Sequence, residues 1–414
     1  MATLFSGGLI FDGNELFEDH AVLVDDGIIS RCAPTSEFVG CDAVLVDTSG
    51  NTLLPGLFDC HVHLVFSGSP DPFQELTKLS AGGITIKALE NAQSTLLGGI
   101  TSVRDCGGKD YLEFAVRDSC NAGKTLGPTI SAAGRLICMT GGHGNNIGRV
   151  ADGVDDVVRA VREQIHAGSD LIKIMATGGV MTPGVNPEDA HYTAEEMMAG
   201  ISEGHRFHKR CASHAQGRDG ILNAVRGGID SIEHGIFLDE VCIEEMINRN
   251  TYLVPTLAAI NNILKHAGSG IPNYIVEKCE RISEAHRNSI QQFYSAGGRI
   301  AMGTDAGTPF NLHGHNALEL RYMVDVGLTT IDALRAATSV ASDLCDLGHR
   351  GRIAEGSVAD LLLVAGSPVD DIDQVAVQSN HLGVMKGGRA VSGFSDVLNL
   401  DRARLISDLR TGIL

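Results

Sequence analysis

Short apolar runs alternate with helical patterns from about Thr52 to Leu344, and that alternation restricts the possible fold more than any other property of the sequence. The strand candidates are Leu53–Phe58, Ile100–Arg104, Thr129–Ile137, Leu171–Met175, Cys211–His214, Ser231–Glu233, Tyr252–Pro255 and Ile300–Gly303. Helical stretches are expected around Ile86–Leu97, Leu112–Asn121, Asp156–His166, Ala194–Lys209, Gly220–Val225, Glu240–Asn248 and Ile275–Tyr294, with two more at Ala317–Val326 and Ile331–Leu344. Several are followed by glycine, which closes a helix in a left-handed conformation that other residues resist. Thr193 and Glu196 have the spacing of a capping box. Strands separated by helices run parallel, because the crossover returns each strand in the same direction. Eight such units predict an α/β protein, a (β/α)8 TIM barrel whose reactive groups stand at the carboxyl ends of the strands.

Both ends of the chain have a different texture. Ala21–Val24, Gly27–Ser30 and Ala43–Val46 are short β-pieces, interrupted by Asp12-Gly13 and Asp26-Gly27, pairs that favour tight turns. The β-texture returns at Gly356–Val364 and Leu382–Arg389. The economical division is a small β-sandwich domain formed by both termini, 1–55 and 349–414, with the barrel, 56–348, inserted between them. The composition, 414 residues of which 43% are hydrophobic, supports a large core. A net charge of −19 without basic clusters argues against a nucleic-acid surface. No run approaches the roughly 20 apolar residues that cross a bilayer, and the first residues lack a basic-then-apolar secretion pattern. The expected partner is therefore a small-molecule substrate, with no nucleic acid and no membrane, in the cytoplasm; the sequence leaves a homo-oligomer open. The ten cysteines form no C-x-x-C pair and fit reduced, mostly buried thiols.

Groups able to bind a metal recur at the ends of the strand candidates. Strand one ends in His61 and His63, which period-two alternation puts on one face. Strand four carries Lys173, strand five ends in His214, strand six in His234 and strand eight in Asp305, while strands two, three and seven supply no matching group. Lys173 shares a face with Leu171 and Met175, and an unpaired buried ammonium is costly. Two readings stay open: an inward lysine paired with an acid, or a lysine converted to an anionic carbamate that bridges two cations.

These six positions, in this order, resemble the amidohydrolase superfamily of metal-dependent hydrolases over nearly the whole chain. The resemblance to its binuclear branch implies that His61, His63 and Asp305 hold one divalent metal, that His214 and His234 hold the other, and that Lys173, N6-carboxylated, bridges them. It implies two metal ions, with zinc as the default for imidazole-rich ligands. The implied reaction is hydrolysis of an amide bond by a metal-bridging hydroxide, with Asp305 as general base and then acid. His143, in the Gly-rich run Met139–Asn145 after strand three, is similar to a substrate-contacting histidine of prolidase-like and arginine or lysine carboxypeptidase-like dipeptidases, and is the second catalytic candidate. The implied substrate is a dipeptide or an N-acyl amino acid.

Gln216 stands two residues beyond His214, where prolidase-like relatives carry a tyrosine, and is a substrate-binding candidate together with His143 and His315. His313 lies in the same loop as His315, which could equally cap the following helix. Gly178–Val185 reads as a rim loop at the barrel mouth. Asp105 could tie Arg104 or a ligand histidine, and His205 with His208 reads as an exposed helix face. The competing readings are a mononuclear deaminase or imidazolonepropionase-like cyclic-amide hydrolase, a hydrolase of ureas, carbamates or lactones, and an inactive scaffold of the dihydropyrimidinase-related type. Arg210-Cys211-Ala212-Ser213 before His214 lacks the glutamate usual in deaminases, and all six ligand positions are filled.

Overall fold

A computed structural model describes residues 2–394. The part of the proposed C-terminal segment beyond Phe394 lies outside these residues. The protein is a mixed α/β molecule whose central strands are parallel. Strands β1 (Leu57–Val62), β2 (Ile100–Asp105) and β3 (Thr129–Ala132) form one parallel sheet in the order β3-β2-β1. A second contains β4 (Leu171–Met175), β5 (Arg210–Ala215), β6 (Ser231–His234) and β7 (Tyr252–Val254) side by side, with the two-residue strands Ile137–Cys138 and Arg149–Val150 beyond β4. β1, β2, β4 and β6 are buried at every residue, as strands covered on both faces must be.

Hydrogen bonds join the two sheets at both edges. On one side Asp170 N bonds to Ala132 O at 2.9 Å. On the other the extended segment 300–306 runs between β7 and β1: Ala301 N bonds to Leu253 O, Cys60 N to Met302 O and Asp305 N to His61 O, at 3.0, 2.9 and 2.7 Å. This segment makes isolated bridges rather than the regular strand expected at Ile300–Gly303. Its bonds alternate between two neighbours, and Asp305 breaks the extended run with φ +60°. The expected strand Leu53–Phe58 is two strands, Asn51–Pro55 and β1, divided at Gly56, and only the second carries the histidines. Thr129–Ile137 likewise divides. The helix expected over Ile331–Leu344 is interrupted between Thr330–Ala336 and Ser339–Leu344.

Strands from both ends of the described residues share a sheet. A six-stranded sheet joins Leu16–Phe17, Leu9–Phe11 and Asn51–Pro55 to Leu361–Ala365, His381–Lys386 and Arg389–Ser392, the two groups meeting where Asn51–Pro55 pairs with Leu361–Ala365. A four-stranded sheet from Thr3–Ser6, His20–Asp25, Ile28–Pro34 and Val44–Asp47 shares a buried cluster with it, in which Phe5, Val22 and Ile29 lie with Leu53, Leu361 and Met385. Asp26-Gly27 forms the expected hairpin turn, and all ten cysteines are free. Among the described residues no helix is long and apolar enough to cross a membrane.

Candidate metal centre

Parallel register brings the strand ends level: Met175 stands opposite His214, and Ala215 opposite His234. One cavity is lined by His61, His63, Lys173, His214, His234 and Asp305, the six residues singled out in the sequence, and by His143. His234 and Asp305 both take left-handed backbone, φ +73° and +60°, a strained state for residues with side chains that must be imposed by their surroundings. Ligand atoms of His61, His63 and Asp305 lie within 4.8 Å of one another. Asp305 Oδ1 is 3.4 Å from His61 Nε2 and 3.3 Å from His63 Nε2.

Each of the four histidines spends one ring nitrogen on an outer acceptor. His61 Nδ1 donates to Glu233 Oε2 at 2.8 Å and His63 Nδ1 to the Gly107 carbonyl at 2.7 Å. His214 Nε2 donates to the Gly178 carbonyl at 2.8 Å. His234 Nδ1 donates to Thr256 Oγ1 at 2.6 Å, whose own proton goes to Pro255 O. A neutral imidazole that donates from one nitrogen keeps a lone pair on the other, which is the state a metal requires. Burial pushes His61 and His214 well below their ordinary proton affinity and His234 down to about 3. Burial alone would lower His63 and raise Asp305, but their mutual contact, with His61 alongside, outweighs it, raising the His63 ring above its ordinary value and holding the Asp305 carboxyl well below its usual range. Lys173 is 1% exposed and its Nζ has no hydrogen-bond partner among the described residues. The inward lysine is thus not paired with an acid. Lone-pair nitrogens, an ionised carboxylate and an orphaned buried amine together form a donor set that could hold divalent ions.

Behind this layer lie Arg104 and Asp105, noted in the sequence, and Glu233 and Asp59, which the sequence reading passed over. Glu233 is fully buried, tied to Arg104 Nη2 at 2.7 Å and to Ser231 Oγ at 2.6 Å. Arg104, 2% exposed, also donates to Cys60 O and Ser231 Oγ, so its partner is Glu233. Asp105 instead accepts the amides of Leu64 and Gly107, which sets the carbonyl that His63 uses. Asp59 accepts bonds from His61 N, Thr304 N, Thr304 Oγ1 and Asn316 Nδ2, fastening β1 to the segment that carries Asp305; complete burial raises its carboxyl to about 6. A charged residue inside each of two apolar strands, Arg104 in one and Glu233 in the other, was the available signal for this pair.

The remaining candidates divide. His143 lies 4.5 Å from His214, ring to ring, and burial lowers it to about 3. Gln216 is buried beside Thr177 and does not line the cavity. His315 is exposed and also outside the lining, whereas His313 is buried and donates to His63 O at 3.2 Å. His205 bonds to Asp230, away from the cavity. Phe66, Phe73, Leu136, Ile147, Met175 and Met181 complete an apolar wall.

A model of the Amidohydrolase family matches residues 52–391. Ochratoxinase of Aspergillus niger is 30% identical over 437 residues, spanning 94% of this chain and 87% of that protein. The crystal structure of a Xaa-Pro dipeptidase with methionine in its active site superposes with a TM-score of 0.86 at 31% identity, covering 95% of this chain and all of the other. A prolidase structure in complex with N-methylphosphonate-L-proline gives the same score, identity and coverage.

Proposed function

The chain belongs to the amidohydrolase family and is a hydrolase of amide bonds, and from that premise we propose a binuclear metal-dependent enzyme that cleaves the amide of a dipeptide or an N-acyl amino acid. The scaffold is an eight-position (β/α)8 barrel, residues 56–348, in which segment 300–306 takes the eighth place. The small β-sandwich domain is formed by 1–55 and 349–414. His61, His63 and Asp305 hold one divalent ion and His214 with His234 the other, zinc being the choice of an imidazole-rich set. Lys173 would serve both ions as a carbamate: its neutral amine adds CO2 and loses one proton, which turns an orphaned amine into an anion. Ions held there supply Lewis acidity and a water whose pKa falls from 15.7 to about 7.

Asp305 accepts the proton of the attacking water and passes it to the leaving amine. That role needs a carboxylate at neutral pH, which the adjacent imidazoles favour. His143, neutral at that pH, donates to the substrate carbonyl or carboxylate. The apolar wall from Phe66 to Met181 receives an apolar acyl group or side chain.

The observation that carries this reading is the convergence of six groups from five separate chain segments on one cavity. The test is metal analysis of the purified protein together with a screen of dipeptide and N-acyl-amino-acid libraries that follows amine release. About two metals per chain and release from one of these classes is the expected result. One metal per chain, or hydrolysis confined to ureas, carbamates or lactones, overturns it.

A further inference from the structure

The cavity encloses only about 40 Å³, room for little more than a water or two, whereas sites for small organic ligands run to roughly 300–1,000 Å³. Part of its wall must therefore move before an amide substrate fits. Residues 178–189, between β4 and the helix Ala194–Arg206, contain no strand or helix, and a bridge between Thr177 and Ala190 closes their base. Met181 of this loop lines the cavity, Gly178 O takes the His214 proton, and Thr182 Oγ1 lies 2.8 Å from His143 Nδ1. The loop thus touches two site histidines at once. Gly179 lies so close to the His143 ring that a Cβ there would sit 2.7 Å from Nε2.

One face of the helix Asn273–Ser295 holds the loop down. Lys278 Nζ donates to the carbonyls of Thr182 at 2.8 Å, Val185 at 2.7 Å and Gly179 at 3.4 Å. One turn earlier Tyr274 donates to Met181 O at 3.1 Å, and one turn later Arg281 pairs with Glu188. A single ammonium gathering three carbonyls replaces the ladder that a strand would have provided.

We propose that 178–189 is a lid over the metal centre, that Lys278 is the clasp that holds it closed, and that the closed lid positions His143 and His214 for the reaction. This rests on the amidohydrolase reading above, but the test separates the two. In the metal-loaded, full-length protein, amide hydrogen exchange is followed across residues 177–191, with kcat and KM measured on the best amide substrate. Lys278→Met should raise exchange at Gly178 and Asp189, whose amides are bonded within the closed loop, at least tenfold. It should lower kcat at least tenfold with a smaller change in KM, since the lost contacts act at the chemical step. Lys278→Arg, which keeps charge and several donors, should restore both. Gly179→Ala, which pushes the loop off His143 from its own side, should raise exchange equally and carries the test if Lys278→Met does not fold. Unchanged exchange in both variants overturns the lid, and raised exchange with unchanged kcat overturns the positioning role. If the wild-type protein cleaves no amide, the functional reading fails while exchange still decides the lid.

Discussion

Arg104 and Glu233 form the most consequential buried ion pair behind the site, and a double-mutant cycle on them tests how His61 is oriented. The two are 2% and 0% exposed, with Nη2 and Oε1 2.7 Å apart. Unit charges at that distance in an effective dielectric of about 20 attract by about 6 kcal/mol. Much of this offsets the cost of taking both ions out of water, so the pair as a whole adds little to stability. Removing one partner is different. Arg104→Met leaves a carboxylate with only Ser231 and His61 around it, and Glu233→Gln strands a guanidinium, each expected to cost about 3–5 kcal/mol. The double variant should cost much less than the sum, giving a coupling of at least about 2 kcal/mol in denaturant unfolding of the metal-loaded protein. Glu233→Gln should also weaken metal binding about 10–100-fold, measured by competition with a chelator, because His61 loses its carboxylate acceptor. Single effects that add within about 0.5 kcal/mol, with metal affinity unchanged, would refute the argument.

Lys173→Ala should reduce bound metal from about two ions per chain to one or fewer and abolish amine release, read by elemental analysis beside activity. Asp305→Asn should lower kcat by about 10²–10⁴-fold, the contribution typical of a positioned proton carrier, with an intact fold by circular dichroism. Glu113 is buried, neither of its carboxylate oxygens has a partner among the described residues, and burial lifts it from the ordinary 4.5 to about 8. The folded state therefore keeps a proton that the unfolded chain loses, so this contribution is fully present below pH 4.5 and is lost as pH rises toward 8. Glu113→Gln should flatten that decline, checked by unfolding midpoints at pH 5 and 8.5. Prolonged chelation should remove activity, and divalent zinc should restore it.

The parallel strands and the six side chains that line one cavity were legible because both follow from local rules. Period-two alternation puts Lys173 and Met175 on one face whatever surrounds them, and both line the cavity. Element boundaries were less legible where tertiary bonds decide them. Gly56 divides one apolar run into strands of two different sheets, and nothing in Leu53–Phe58 marks which half pairs with Leu361–Ala365. The segment at 300–306 lacks a regular ladder because Thr304 and Asp305 turn toward Asp59 and the histidines.

The orientation of each histidine was illegible for a deeper reason. His61 is set by Glu233 on β6, His63 by the loop after β2, His214 by the loop after β4, and His234 by Thr256 just beyond β7. Each of the four histidines is aimed by a different part of the chain, distant in sequence in most cases. A motif records which residue stands at a strand end, but the nitrogen it presents depends on these outer acceptors. Substitutions in the rim loops should therefore act on the proposed metal centre itself. Thr256→Val tests this, since it removes the His234 acceptor at nearly constant volume: metal affinity should fall about 10–100-fold while unfolding midpoints move little, and an unchanged affinity would mean that the ring is held by packing alone.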